Sequence, residues 1–285
     1  MRVIVTGGAG FIGTNLIKKL LKEGHEAISI DDYSIGSREN QITGAEYYTM
    51  NVSDISDYSW LKPDIIFHLA GLSRIQPSFD NPTETFEVNT ASCLKIAEWA
   101  SKNNVKVIYA GSSSRWHDPY QSPYACFKHM GEEIFKLYKK VYGLKVEIAR
   151  FYNVYGPYEI IDGQWAAVIG KWRGCIQSGK PIEIVGDGEQ RRDFTHVDDI
   201  VDALYELSIN NYVHEDAWEL GSGQNYSVNE VADMFVRYGH NVTKKYIPDQ
   251  QGNYRETKRE SDDALEVMGW APSDKLNQYI KELYE

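Results

Sequence analysis

Short apolar runs alternate with amphipathic stretches through the first half of the chain. Val3-Ile4-Val5, Ala27-Ile28-Ser29-Ile30, Ile65-Ile66-Phe67-His68-Leu69, 105–110 and 146–149 each read as a strand. Helical spacing of apolar positions fills 11–22, 84–102 and 124–142. This alternation predicts an α/β fold, a doubly wound parallel Rossmann sheet with helices on both faces. Beyond Gly156, prolines and glycines cut the pattern into shorter pieces, with helices over 165–177 and 197–208 among short strands. From about Trp218 a smaller C-terminal α/β lobe is expected. The reading divides the chain into a Rossmann domain over 1–155, with a return segment at about 190–210, and a second lobe over 156–285. A ligand cleft is expected between them.

Composition narrows the partners. The 285 residues carry a net charge of −11, which repels nucleic acid and anionic membranes, so neither is an expected partner. Cys93, Cys126 and Cys175 are far apart and form no metal-ligand pattern, so no metal is expected. Reduced cysteines fit a cytoplasmic protein. The apolar start reads as a strand and not as a secretory signal, and no apolar run is long enough to span a bilayer.

The first strand runs into Thr6-Gly7-Gly8-Ala9-Gly10-Phe11-Ile12-Gly13. Glycines there permit a tight turn and let the backbone approach a pyrophosphate, and the helix start offers free N–H groups to the anion. The second strand ends at Asp31, whose carboxylate can accept both ribose hydroxyls of an adenosine and repels an extra phosphate. The expected cofactor is NAD, with 1–155 as its domain; Arg38, close by, leaves NADP open.

Tyr124-Ala125-Cys126-Phe127-Lys128 sets a phenol and an ammonium on one helix face, just after Pro123. A free phenol has a pKa of about 10. To act as a base near neutral pH it needs a nearby cation, which Lys128 can supply and an oxidised nicotinamide can reinforce. The strand over 105–110 leads into Gly111-Ser112-Ser113-Ser114, where a serine can bond the reacting sugar oxygen.

These motifs resemble the extended short-chain dehydrogenase/reductases, in the branch of NAD-dependent nucleotide-sugar epimerases and dehydratases. The likeness spans nearly the whole chain: GGAGFIG from Gly7, HLAG from His68, RIQPS from Arg74, Tyr-x-x-x-Lys, ARFYNVYGP from Ala149 and GDGEQRRDFTHVDDIV from Gly186. It implies that His68, Leu69, Ala70 and Gly71 line the cofactor, together with Asn89. Phe11 and Ile12 sit in the phosphate cradle. Asn51 and Val52 flank the adenine, with Asn51 in place of the usual Asp. Ser112 aligns with the catalytic hydroxyl, and Ser113 is the alternative. Asn153 would meet the sugar diphosphate and Arg192 a phosphate, which makes 156–285 mainly a substrate-binding lobe. Relatives commonly pair the helices from Glu84 and Tyr124 with a second copy. A homodimer is therefore expected, with Phe135 and Tyr138 spaced for one helix face or for packing inside the monomer.

Three departures refine the picture. Dehydratases carry Asp-Glu after the catalytic hydroxyl, and decarboxylases keep a Glu there, where this chain has Ser113-Ser114. Serine does not readily exchange a proton at neutral pH, so dehydration is disfavoured. The loop 115–123 is short, with Trp116-His117 in place of a Tyr-Gly pair. Near the C-terminus an expected Arg becomes Gln250 and an acid becomes Asn253, so Arg255 is the substitute phosphate contact. UDP is the favoured carrier, with other nucleotides left open. The expected activity is epimerisation of a nucleotide-sugar at carbon 4 through a transient 4-ketone. The alternatives are a reductase, dehydratase or decarboxylase on the same scaffold, or a non-catalytic NAD-binding regulator.

Overall fold

The computed structural model describes residues 1–285, apart from the side chains of 55–59. In chain order the first half reads β1 (Arg2–Thr6), α1 (Phe11–Lys22), β2 (Glu26–Asp31), β3 (Glu46–Thr49), β4 (Ile65–His68), α2 (Ile75–Asp80), α3 (Pro82–Phe86), α4 (Ser92–Asn103), β5 (Lys106–Ser112), α5 (Pro123–Tyr142) and β6 (Val146–Phe151). There follow β7 (Asn153–Tyr155), α6 (Val168–Gln177), β8 (Ile182–Val185), β9 (Arg191–His196), α7 (Val197–Ile209), β10 (Trp218–Leu220), β11 (Asn225–Ser227), α8 (Val228–Tyr238), β12 (Lys244–Ile247), α9 (Asp263–Met268) and α10 (Leu276–Glu282).

A seven-stranded sheet in the order β10-β6-β5-β4-β1-β2-β3 forms the frame, and its pairings are all parallel. The chain runs outward from β1 through β2 and β3, then returns to the other side of β1 with β4. That reversal opens a crevice at the carboxyl ends of β1 and β4, where sheets of this kind bind ligands. Val3, Ile4 and Val5 are buried on both faces, as a central parallel strand requires. One face packs α1 and α7 around Leu16, Ile17, Leu204 and Leu207. The other packs α4 and α5 around Ile96, Ala100 and Phe135. A third core, around Trp172, Ile184, Val231 and Phe235, belongs to the smaller lobe.

The structure differs from the sequence reading in several places. The return to the large sheet is longer than 190–210: β10 pairs with β6, and Ala264, Met268 and Trp270 pack in the same core as α7. The helix expected over 165–177 begins at Val168. The helix expected over 84–102 starts at Pro82 and carries a π-helical turn at Glu87–Ala91. β3 and α2 were not anticipated. Phe135 is fully buried in the protein's own core, and Tyr138, half-buried, packs against the same cluster, which is the packing inside the monomer that their spacing also allowed.

His68, at the end of β4, lies inside the fold and not on the cleft. Its Nδ1 is 2.9 Å from Thr6 Oγ1 and its Nε2 3.3 Å from Ser92 Oγ. Burial holds its pKa down at about 3. Below about pH 6.5 the unfolded chain binds a proton that the folded chain refuses, so stability falls as pH falls. From this group alone the slope is about 1.4 kcal/mol per pH unit. Urea titrations between about pH 4 and 7 should therefore show a shallower loss for His68→Gln than for the wild type.

Candidate active site

β1 runs into Gly7, whose φ of +71° favours glycine. A Cβ there would lie 2.9 Å from the Ala70 nitrogen, and one on Gly13 would collide with the Gly7 carbonyl. The backbone is thus folded tightly into the start of α1. Gly10 caps that helix without a side-chain bond, and its first turn holds no acid. Phe11, Ile12 and Gly13 therefore present their N–H groups to an anion, as a pyrophosphate needs. Asp31 accepts the Ala9 N–H at 2.9 Å and the Tyr33 N–H at 2.8 Å. Burial pushes its carboxyl up and the two donors pull it back. Arg38 turns away, stacking over the Tyr33 ring and donating to Thr49 Oγ1 at 3.2 Å. The residues present fit a dinucleotide without a ribose phosphate.

A cleft of about 820 Å³ gathers most of the expected residues. Gly7, Gly10, Phe11, Ile12, Gly13 and Asp31 line one end, with Asn51, Val52, Leu69, Ala70 and Gly71 alongside. Ser112, Ser113, Tyr124, Lys128, Asn153 and Arg192 line the remainder. Asn89 is not among them. It sits in the π turn, where its amide accepts the Leu72 N–H at 2.8 Å and donates to the Leu72 carbonyl at 2.9 Å. It thereby holds the loop after β4 from behind.

The Ser112 and Tyr124 hydroxyls are 3.1 Å apart, and Ser114 donates to Ser112 Oγ at 2.9 Å. Ser122 caps α5 by accepting the Ala125 N–H, and the Tyr124 N–H donates to Ser78 Oγ on α2 at 3.1 Å. Burial pushes the Tyr124 phenol up, while the Ser112 hydrogen bond and the charge of Arg74 pull it down. Lys128 faces the cleft but donates to the Ala110 carbonyl at 2.6 Å, with its ammonium 4.4 Å from the Tyr109 ring centre. Arg74, a residue that the RIQPS motif contained without a role, is a cation that pulls on Tyr124.

Behind this pair Arg150, fully buried, bonds Glu132 at 2.8 Å, Glu219 at 2.9 Å and Asp216 at 2.7 Å. Glu132 also accepts the Ser112 N–H at 3.3 Å, and Glu219 accepts from Tyr152 and from the Trp116 indole. The short loop 115–123 is pinned at Trp116 and again at His117, whose ring stacks on Tyr254 with centroids 3.8 Å apart.

On the substrate side, Asn153 donates to the Asp193 carbonyl at 3.0 Å and to Thr257 Oγ1 at 3.2 Å. Arg192 donates to Asn253 Oδ1 at 2.6 Å, and burial pushes its pKa down to about 10. Arg255 is not brought to the cleft: it is exposed and pairs with Asp187 at 2.9 Å, a carboxylate within easy reach. Tyr254 takes the inward position instead. The fully buried Asp193 carboxylate accepts the N–H groups of Ser222 (2.8 Å), Gly223 (2.9 Å) and Arg259 (3.1 Å), tying the C-terminal segment to β9.

The NAD dependent epimerase/dehydratase family model matches residues 3–221. The chain belongs to this family. A UDP-glucose 4-epimerase of Mycolicibacterium smegmatis is 29% identical, over 100% of this chain and 98% of its own. UDP-glucuronic acid decarboxylase 1 of Xenopus tropicalis is 27% identical, over 99% of this chain and 70% of its own. The solved UDP-glucose 4-epimerase of Thermus thermophilus, in complex with NAD, superposes with a TM-score of 0.89 at 26% identity, over 99% of this chain and 97% of that one. The family is NAD-dependent and its members act on nucleotide-sugars.

Removing the carboxylate at 31 deletes the ribose acceptor and releases the Ala9 and Tyr33 N–H groups. Asp31→Ala is expected to weaken NAD roughly 10- to 100-fold, the range of a charged hydrogen bond. Titration of the purified variant with NAD, followed by calorimetry, measures this.

Proposed function

We propose that this protein epimerises carbon 4 of a nucleotide-linked sugar, with UDP as the favoured carrier, through a transient 4-ketone. The observation that carries the reading is the pair of hydroxyls, Ser112 and Tyr124, 3.1 Å apart in the cleft. Ser113 and Ser114 follow on the same strand end, so the positions that would hold a dehydratase's acid and base carry hydroxyls. Ser114 is already committed to Ser112.

Tyr124 takes the proton from the sugar 4-hydroxyl. Ser112 donates to the same oxygen as it becomes a carbonyl, with Ser114 supporting it. When bound, NAD supplies reversible two-electron oxidation at carbon 4, held by the N–H groups of α1 and by Asp31. Arg192 and Asn153 grip the diphosphate, so the ketone can turn over while its carrier stays fixed. Tyr124 then returns the proton after reduction on the opposite face, and no net oxidant is consumed. The UDP-glucose 4-epimerase relatives support this reading. The expected homodimer belongs to the same proposal: Leu94, Met130, Leu137 and Val141, exposed on α4 and α5, would face the second copy.

Tyr124→Phe is expected to lower kcat roughly 10²- to 10⁴-fold, the usual weight of a general base, while NAD stays bound through gel filtration. Product is followed by the anomeric proton signals of UDP-glucose and UDP-galactose. A wild-type product lacking the elements of water, or NADH released in step with turnover, would reject the reaction.

A further inference from the structure

Arg74 has no part in the steps above, yet it lines the same cleft as Tyr124. It caps the start of α2, and that helix is tied to the start of α5 through the Ser78–Tyr124 bond. Its Nε donates to the Trp165 carbonyl at 2.9 Å and its Nη1 to the Ser73 carbonyl at 3.0 Å. These bonds fix the plane of the guanidinium and leave Nη2 without an acceptor among the described residues. No carboxylate among them lies within ion-pair distance. Glu159, whose charge reaches Arg74, is already held by Arg173 at 2.9 Å and Tyr279 at 3.2 Å. A partly buried guanidinium with an open donor edge is an anion site in search of its anion, because its desolvation is offset only when an acceptor arrives.

The diphosphate does not supply that anion if Arg192 and Asn153 hold it. Arg74 lines the same cleft as the phenol, at the start of the helix bonded to Tyr124, on the side where the proposed reaction puts the sugar ring. We infer that Arg74 reads a carboxylate on the sugar, so that the substrate is a nucleotide-linked uronic acid. In such a sugar the carboxylate hangs on carbon 5, next to carbon 4, and its planar oxygens match the guanidinium fork. This rests on the proposed reaction for where the ring sits. It also bears on the product. A 4-ketone next to a carbon bearing a carboxylate is a β-keto acid, which is prone to lose carbon dioxide. A cation bound to the carboxylate stabilises the charge that this loss would discharge.

The test is equilibrium binding to NAD-loaded protein of UDP-glucuronate against UDP-glucose, and of dTDP-glucuronate against dTDP-glucose, compared within each carrier. Wild type should favour the uronate roughly 10- to 100-fold. Arg74→Gln should bring the ratio near one and Arg74→Lys should keep part of it, with bound NAD and thermal unfolding reporting that each variant is folded. No uronate preference in the wild type, an undiminished preference in Arg74→Gln, or equal weakening of both sugars would overturn the assignment. Turnover separates it from the reaction. Uronate preference with a pentose product, or none, rejects epimerisation and leaves the carboxylate site standing. Epimerised UDP-glucose without uronate preference does the reverse.

Discussion

A guanidinium with no exposed surface has to be neutralised where it stands, and Arg150 is the point on which this site is hung. Its partners come from α5, the edge strand β10 and the segment just before that strand, so its charge can be satisfied only if all three converge on β6. Removing one partner of such a buried group typically costs about 3–5 kcal/mol. Glu132 uses the same carboxylate to hold the Ser112 nitrogen, and it sits two turns along α5 from Tyr124. The 3.1 Å approach of the two reactive hydroxyls is thus set from behind by charge neutralisation.

The two ends of the cleft are built differently. At the cofactor end the backbone does the work: tight glycine approaches and open N–H groups, with Asp31 as the one decisive side chain. At the other end side chains from separate elements meet. Arg74 follows β4, His117 comes from the short loop, Arg192 from β9 and Tyr254 from the C-terminal segment. The first end tolerates few substitutions, and the second can be rebuilt piece by piece.

This division explains what was legible in the sequence. The cradle and the Tyr124–Lys128 helix could be read because each is local: glycines beside a strand, a helix with a proline at its start. α1 has the bounds its periodicity gave. β10 could not be read, because three residues acquire a strand's geometry only by pairing with β6. β3 is a short edge strand of mixed polarity, and its alternation is too brief to register. The partner of Lys128 was hidden for a similar reason. Helical spacing puts Lys128 on the right face, but the Ala110 carbonyl that captures it lies on another strand. Arg255 was read by register alone, and the opposing Asp187 is 68 positions away in the chain.

Asp193 carries one last consequence. The stretch bearing Asn253, Tyr254 and Thr257 is clamped to β9 by backbone bonds to Arg191 and Asp193 and by the Asp193 carboxylate at the Arg259 N–H, and the dinucleotide cradle shares none of these ties. Drift along that stretch leaves the redox end undisturbed as long as the clamp holds. A lineage built this way can change which sugar it recognises while keeping what it does to it.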